Sequence, residues 1–496
     1  MNKAKIASIY KKLISEKRRR KTTGPKGRTL ALQAASDRGR LLFSASFRRL
    51  QLKTQAFPQE SNAAVRTRLT HSLEVASVGT YIAEGVAQRL LADGLLGRLN
   101  DPKSHNSANA LITFVEVACL MHDLGNPPFG HFGEESIREW FSSRQYQFKS
   151  RLNDDELFDH LFKDFLYFDG NPQGFRMATR LQWVGDEFGY NLTLTQLAAT
   201  LKYPWTPDKV GEKKDGSRIK KAGVFFSEAD ILTEVQRGLS LNPEARHPLT
   251  YLMEAADDIS YCLSDIEDAL EKRIIRNDDV IKALREALSK VGSRQAKAML
   301  GAIPQAGKVG DDSGWFVRFR TTTTNELVKR ACELYGTHHD DILRGEYFQL
   351  FERSRAANAL LEVVRQFSND HLYTCSVVRE RELVGFQVVS GILDKFSLLL
   401  DLSTYDAVAL LCQDSPGKVN GAALACTLKS LLPKKHLKVY QHEVKRLKTL
   451  DLSREKLDVL EWAARAHLIV DYLAGMTDEF SIIMYRRFYG GGAHQL

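Results

Sequence analysis

Proline and glycine are scarce in this 496-residue chain, 13 and 33 in all, which leaves little material for a fold built from many tight hairpins. Cysteine is scarcer. The six, at 119, 262, 332, 375, 412 and 426, include no CxxC pair, so a disulfide framework is not expected and reduced thiols are. No uninterrupted apolar run reaches 18 residues. The start of the chain also lacks the apolar core of a secretion signal. Both absences point to a cytoplasmic protein with no membrane span. Net charge is missing too, once residues 1–30 are set aside. That segment holds eleven Lys/Arg against Glu16, for +10, while the whole chain carries +9, leaving the other 466 residues at −1.

What is present is apolar content, 43%, recurring mostly every three or four residues. The fold is therefore expected to be mainly α, multi-helical, with a core large enough for more than one domain. Residues 356–377 and 454–473 read as long helices. Trp315–Arg320 alternates and reads as a short strand. No internal repeat is evident. The basic block Lys17–Lys21 suits phosphate polyanions or nucleic acid; the alternative is a solvated arm.

The most informative stretch runs from Cys119 to Glu134. An apolar run, Ala110–Met121, delivers His122-Asp123 and breaks at once into a turn with Gly125, Pro127, Pro128 and Gly130. His131 and Glu134 follow, three residues apart. Imidazole and carboxylate together hold divalent metals while leaving positions for water. A lone His-Asp pair is weak evidence, since a histidine at a helix end is more often packed or capping. Two more segments add weight. Arg66–His71 opens a helix whose apolar stripe is Val75, Val78, Ile82, Val86 and Leu90, with His71 one turn before it. Glu254–Asp265 starts another, with Asp257, Tyr261, Ser264, Asp265 and Asp268 on the face away from Ala255, Ile259, Leu263 and Ile266.

His71, then His122-Asp123, then an aspartate on a later helix is similar to the H…HD…D signature of the HD superfamily of metal-dependent phosphohydrolases. Longer strings narrow the likeness. Ser36–Arg40, Arg48–Gln55, Asn62–Ser72, His122–Glu134, Gly170–Gly174, Leu201–Pro204, Glu254–Asp265 and Gly475–Asp478 resemble the bacterial dGTP triphosphohydrolase family, in order, across residues 36–490.

The resemblance implies a metal cage of His71, His122, Asp123 and Asp257; periodicity alone leaves Asp257 and Asp258 equal. The cage suits Mn²⁺ or Mg²⁺, with Co²⁺, Fe²⁺ or Ni²⁺ as alternatives. It implies an acid/base role for His131 held by Glu134, and nucleotide contacts from Gln55, Arg68, Asn171, Lys202, Tyr203, Tyr261 and Asp265. Among these, Arg68 and Lys202 suit phosphate, Asp265 a 3′-hydroxyl, and the Tyr261 ring the crowding of a 2′-hydroxyl. The implied reaction is hydrolysis of dGTP at the α-phosphorus to deoxyguanosine and tripolyphosphate. Residues 31–300 are then expected to form the catalytic core. Residues 1–30 would be a basic segment for a single-stranded DNA effector, and 301–496 a helical region serving site and oligomer, a homo-hexamer. Two rivals remain: an HD-type phosphodiesterase acting on another nucleotide, and a nucleic-acid-binding regulator on an HD scaffold.

Overall fold

The structure, a computed structural model, describes all residues except 22–26, 56–64, 98–100, 184, 215–216, 310–312, 353, 372–375, 414–422 and 491–496. For 213, 214, 217, 262, 355, 356, 360, 376–378 and 381 it describes the backbone alone. Helices make up nearly all of its regular structure, as the apolar spacing requires. Among the described residues the one paired sheet is a two-residue antiparallel ladder, Lys213–Lys214 with Ser217–Arg218. The expected strand at Trp315–Arg320 is instead part of the helix Gly314–Thr337. Phe316 and Phe319 are both buried there, and Thr323, Leu327 and Ala331 continue the same stripe. The longer helical period outweighs a six-residue alternation.

The chain forms two compact units, each assembled from three stretches. The first contains 1–122, 193–204 and 234–381. At its centre the helix Arg68–Ala92 opens on a capping box, Thr67 and Thr70 each satisfying the other's backbone N–H. Its predicted stripe is buried at Val75, Ile82, Val86 and Leu90 and half-buried at Val78. Helix Pro102–Met121 lies against it so closely that a Cβ on Gly79 would fall 2.4 Å from the Cys119 sulfur. Glycine is what permits that approach. Helix Pro248–Glu271 packs on both and is buried along most of its length.

Among the described residues of the N-terminal segment, several pack into this unit. Helix Lys3–Leu13 buries Ile6, Tyr10 and Leu13. Beyond it Arg18 pairs with the buried Asp37 and donates to Gln33 Oε1 at 3.0 Å, and Arg19 pairs with Glu234 at 2.8 Å. The basic block thus divides: Arg18 and Arg19 are spent on carboxylates, while Lys3, Lys5, Lys11, Lys12, Lys17 and Lys21 remain exposed.

The second unit contains 123–192, 205–233 and 382–496. Its core is aromatic, with Trp140, Phe141, Phe158, Phe162, Phe165 and Trp462 packed from the helices His131–Ser142, Asp155–Leu166 and Arg454–Ala474. The last of these is the helix expected over 454–473. The helix expected over 356–377 is found as Arg355–His371, in the first unit, and a new helix, Ser376–Leu400, starts after residues 372–375. Residues Glu382–Leu400 are long and apolar enough to cross a membrane by composition. Val388, Val389, Ile392, Leu393, Phe396 and Leu399 of that span are buried in the aromatic core, however, which accounts for its apolarity.

Candidate metal centre and acid/base pair

In the first unit, three elements far apart in the chain bring His71, His122 and Asp257 together, one ligand atom of each lying within 4.8 Å of the others. His71 sits in the first turn of the helix Arg68–Ala92 and is wholly buried. His122 is the C-cap of the helix Pro102–Met121. Its Nδ1–H donates to the Cys119 carbonyl at 2.7 Å, which puts the lone pair on Nε2, the atom turned towards Asp257. Asp257 Oδ1 stands 3.6 Å from His71 Nε2 and 3.5 Å from His122 Nε2. Those gaps exceed a hydrogen bond and approach the spacing of about 3 Å between neighbouring donors that share one metal at roughly 2.1 Å. Two imidazoles and a carboxylate so spaced fit a divalent cation.

The other oxygen of the same carboxylate, Oδ2, accepts from Lys202 Nζ at 2.9 Å. Burial works to raise the Asp257 carboxyl, but Lys202, His122 and His71 together hold it well below the usual carboxylate range. Burial likewise disfavours the Lys202 ammonium, and Asp257 with its acidic neighbours more than restores it. The aspartate that periodicity could not choose is separated here by geometry. Asp257 faces the imidazoles, while Asp258 turns to Arg365 Nη2 at 2.8 Å and is pushed by burial up to about 6.

In the second unit, His131 and Glu134 form the expected pair, His131 Nδ1 to Glu134 Oε2 at 2.9 Å. The chain reaches this turn through two consecutive residues with positive φ, Phe129 at 62° and Gly130 at 58°. A phenylalanine in that region is uncommon and costs energy, which the hydrogen bond from its N–H to Asp478 at 3.0 Å helps to offset. Gly125 packs backbone to backbone, since a Cβ there would meet the Gly170 carbonyl at 2.2 Å. Glu134 is buried and its Oε1 accepts the Gly170 N–H at 2.7 Å, whereas the His131 side chain is 67% exposed. Burial raises the Glu134 carboxyl, and His131, Lys221 and the Gly170 N–H together bring it below the usual value. One end of the imidazole is clamped and the other is open to solvent.

The remaining predicted residues fall as follows. Arg68 is buried one turn before His71, and Asp265 is buried two turns after Asp257, with Tyr261 half-buried between them. Tyr203 lies under the Arg246 guanidinium, 5.6 Å from its ring centre. Gln55 is half-buried, and its Oε1 has no hydrogen-bond partner. Asn171 spends its Nδ2 on the Asp169 carboxylate at 2.6 Å, and Asp123 accepts from Asn126 Nδ2 at 2.5 Å. Sequence reasoning missed the Lys202–Asp257 pair, the Gly170 N–H on Glu134 and the Arg365 partner of Asp258. Only the first left a signal, a lysine beside a Tyr-Pro turn, and it named no partner.

Residues 68–169 match the HD domain family, a span that opens at the helix of His71 and closes just before Gly170. Across the full chain, the deoxyguanosinetriphosphate triphosphohydrolase of Salmonella arizonae is 35% identical over 485 residues, 91% of this chain and 92% of the relative. Those of Serratia proteamaculans (35% over 488 residues, 92% and 93%) and Yersinia enterocolitica (35% over 483 residues, 91% and 92%) are equally similar. Likeness at that level extends over nine-tenths of both chains and contains the HD-domain match: the chain belongs to the deoxyguanosinetriphosphate triphosphohydrolase family of HD-domain proteins.

Proposed function

We propose that this protein hydrolyses dGTP at the α-phosphorus to deoxyguanosine and tripolyphosphate with a divalent cation, Mn²⁺ or Mg²⁺. The observation that carries the reading is the convergence of His71, His122 and Asp257 in a chain so similar to named dGTP triphosphohydrolases. His71, His122, Asp257 and Asp123, next to His122 in the chain, are the proposed ligands. A cation held there would neutralise charge on the phosphoryl oxygens and acidify a water. Lys202, bonded to Asp257 Oδ2, orients the carboxylate so that Oδ1 faces the imidazoles, and keeps positive charge beside the phosphates. Arg68 is the second phosphate contact. His131 is the proposed acid/base, its tautomer and angle held by Glu134.

Tyr261 and Asp265 are proposed to read the sugar, crowding a 2′-hydroxyl and accepting from a 3′-hydroxyl. Gln55, Asn171 and Tyr203 complete the nucleotide contacts; the unpartnered Gln55 Oε1 supports a role as acceptor. Arg365 on Asp258 supports a contribution of residues 301–496 to the site. A homo-hexamer in the cytoplasm is proposed as the working form, with exposed Phe43, Leu52, Leu383 and Tyr405 supplying apolar surface. Single-stranded DNA is proposed as an effector held by the exposed lysines of residues 1–21. The test of the reaction is incubation with each of the four dNTPs and GTP plus Mn²⁺ or Mg²⁺, with products resolved by ion exchange. Deoxyguanosine with tripolyphosphate is expected and GTP should react poorly; dGDP with phosphate, or dGMP with pyrophosphate, would falsify the assignment.

A further inference from the structure

The helix that carries Asp257 begins at an unusual cap. His247 is its N-cap, and the ring Nδ1 accepts the Leu249 N–H at 3.2 Å. With Nδ1 as acceptor the proton sits on Nε2, which donates to the Leu13 carbonyl at 3.2 Å. Leu13 is the last residue of the N-terminal helix, where a carbonyl has no partner within its own helix. Its second lone pair is taken by Thr195 Oγ1 at 2.7 Å, and Thr195 in turn accepts the Ser15 N–H at 2.8 Å. Thr195 belongs to the helix Leu194–Thr200, which runs directly into Lys202. One backbone carbonyl therefore ties together the roots of the two segments that end in Asp257 and Lys202.

The tie is reinforced on the strap side. Lys17 O accepts the Leu194 N–H at 2.7 Å, and Asp37, paired with Arg18, accepts both the N–H and the hydroxyl of Thr193 at 2.9 and 2.7 Å. Between the two segments themselves stands a separate contact, the Thr250 hydroxyl on the Ala198 and Ala199 carbonyls at 3.2 and 3.1 Å. A single fastening leaves a rotation open, and a second one removes it. From His247 to Asp257 is ten residues of helix, a lever of about 15 Å. Over that length a small tilt at the root moves the carboxylate by a distance that matters to a metal ligand.

We propose that the Leu13 carbonyl, gripped by His247 and Thr195, is a positioning joint through which the N-terminal strap sets Asp257 against Lys202 and so tunes the affinity of the metal centre. This rests on the reading of His71, His122 and Asp257 as ligands. His247 and Thr195 are positioning residues; neither touches substrate or metal.

The test is Mn²⁺ binding to the full chain by titration calorimetry, with folding checked by circular dichroism. His247→Asn presents an amide at the place of Nδ1, keeping the cap and losing Leu13. His247→Gln presents one at the place of Nε2, keeping Leu13 and losing the cap. Thr195→Val removes a grip on Leu13 without touching the cap. The joint requires weaker Mn²⁺ binding in His247→Asn and Thr195→Val, about tenfold as for other supports of metal ligands. His247→Gln should stay close to wild type. Wild-type affinity in Thr195→Val, or loss in His247→Gln with His247→Asn intact, overturns the joint and leaves His247 as a helix cap. A wild-type chain that binds no Mn²⁺ removes the metal reading itself.

Discussion

Arg176, buried in the second unit, and Lys202, half-buried in the first, are both cations facing carboxylates, yet they are built to opposite ends. Arg176 places Nε and Nη2 on Asp471, each at 2.9 Å, and Nη1 on Glu228 at 2.7 Å; Gln173 shares Asp471 Oδ1 with it and Arg180 shares Glu228 Oε1, each at 2.9 Å. The cluster is filled by its own members. Beside Lys202, Asp257 Oδ2 accepts the ammonium at 2.9 Å, while Oδ1 stands 3.6 Å from His71 Nε2 and 3.5 Å from His122 Nε2, at metal-sharing spacing. A filled network spends its electrostatics on folding. A spaced one keeps coordination in reserve, and that reserve is what marks a site. The clamped but exposed His131 lies between these cases: its partner is fixed, its far edge is not.

The comparison breaks most sharply at the ligands. His122→Ala and Asp257→Ala should each abolish both bound Mn²⁺, by elemental analysis, and dGTP hydrolysis; retained metal in either variant removes that residue from the cage. His131→Ala should cut hydrolysis by about 10² to 10⁴-fold, as for a lost general acid or base. Metal content should not change, and a metal-free variant would make His131 a ligand. Arg176→Met is the matching cut in the filled cluster. Leaving Asp471 and Glu228 buried without their cation should cost roughly 3–5 kcal/mol in urea unfolding. Mn²⁺ affinity of the folded fraction should be unaltered, and a matching loss of metal would show that the two clusters do not differ in role.

Acid should act on the first unit through His247. Burial pushes its ring down to about 4, so between its unfolded value of about 6.5 and pH 4 only the unfolded chain takes up the proton. Stability is unaffected by this group above pH 6.5 and falls as pH drops through that window, by at most roughly 3 kcal/mol. Urea midpoints measured at pH 7 and pH 4.5 should fall less in His247→Gln than in wild type; parallel losses would discard the assignment. The smallest effect concerns the exposed lysines. Lys11→Glu with Lys12→Glu should weaken single-stranded DNA binding and flatten its salt slope without moving basal hydrolysis. Removing the whole segment is a poor substitute, because Tyr10, Leu13 and Ile14 are core residues.

Much of this was legible in the sequence. The stripe from Val75 to Leu90 gave the helix of His71, and the Gly/Pro turn after His122 gave the break that presents His131 and Glu134. The strand at Trp315–Arg320 was misread because six residues are too few to separate a period of two from one of 3.6 when aromatic residues dominate. The partners of Arg18 and Arg19 were not legible either: charge counts do not say which arginines have an acid waiting, and Asp37 and Glu234 lie 19 and 215 positions away.

By itself, then, the sequence determined the residue types available for metal and proton chemistry and the helices that carry them, because apolar periodicity and turn chemistry are local properties. Tertiary structure alone decided that Lys202 holds the second oxygen of Asp257, that Arg365 takes Asp258, that Gly170 clamps Glu134, and that the Leu13 carbonyl joins two distant segments. Each of these is a choice of partner across tens or hundreds of residues, and buried polar groups make that choice by reach and desolvation, which no local pattern encodes.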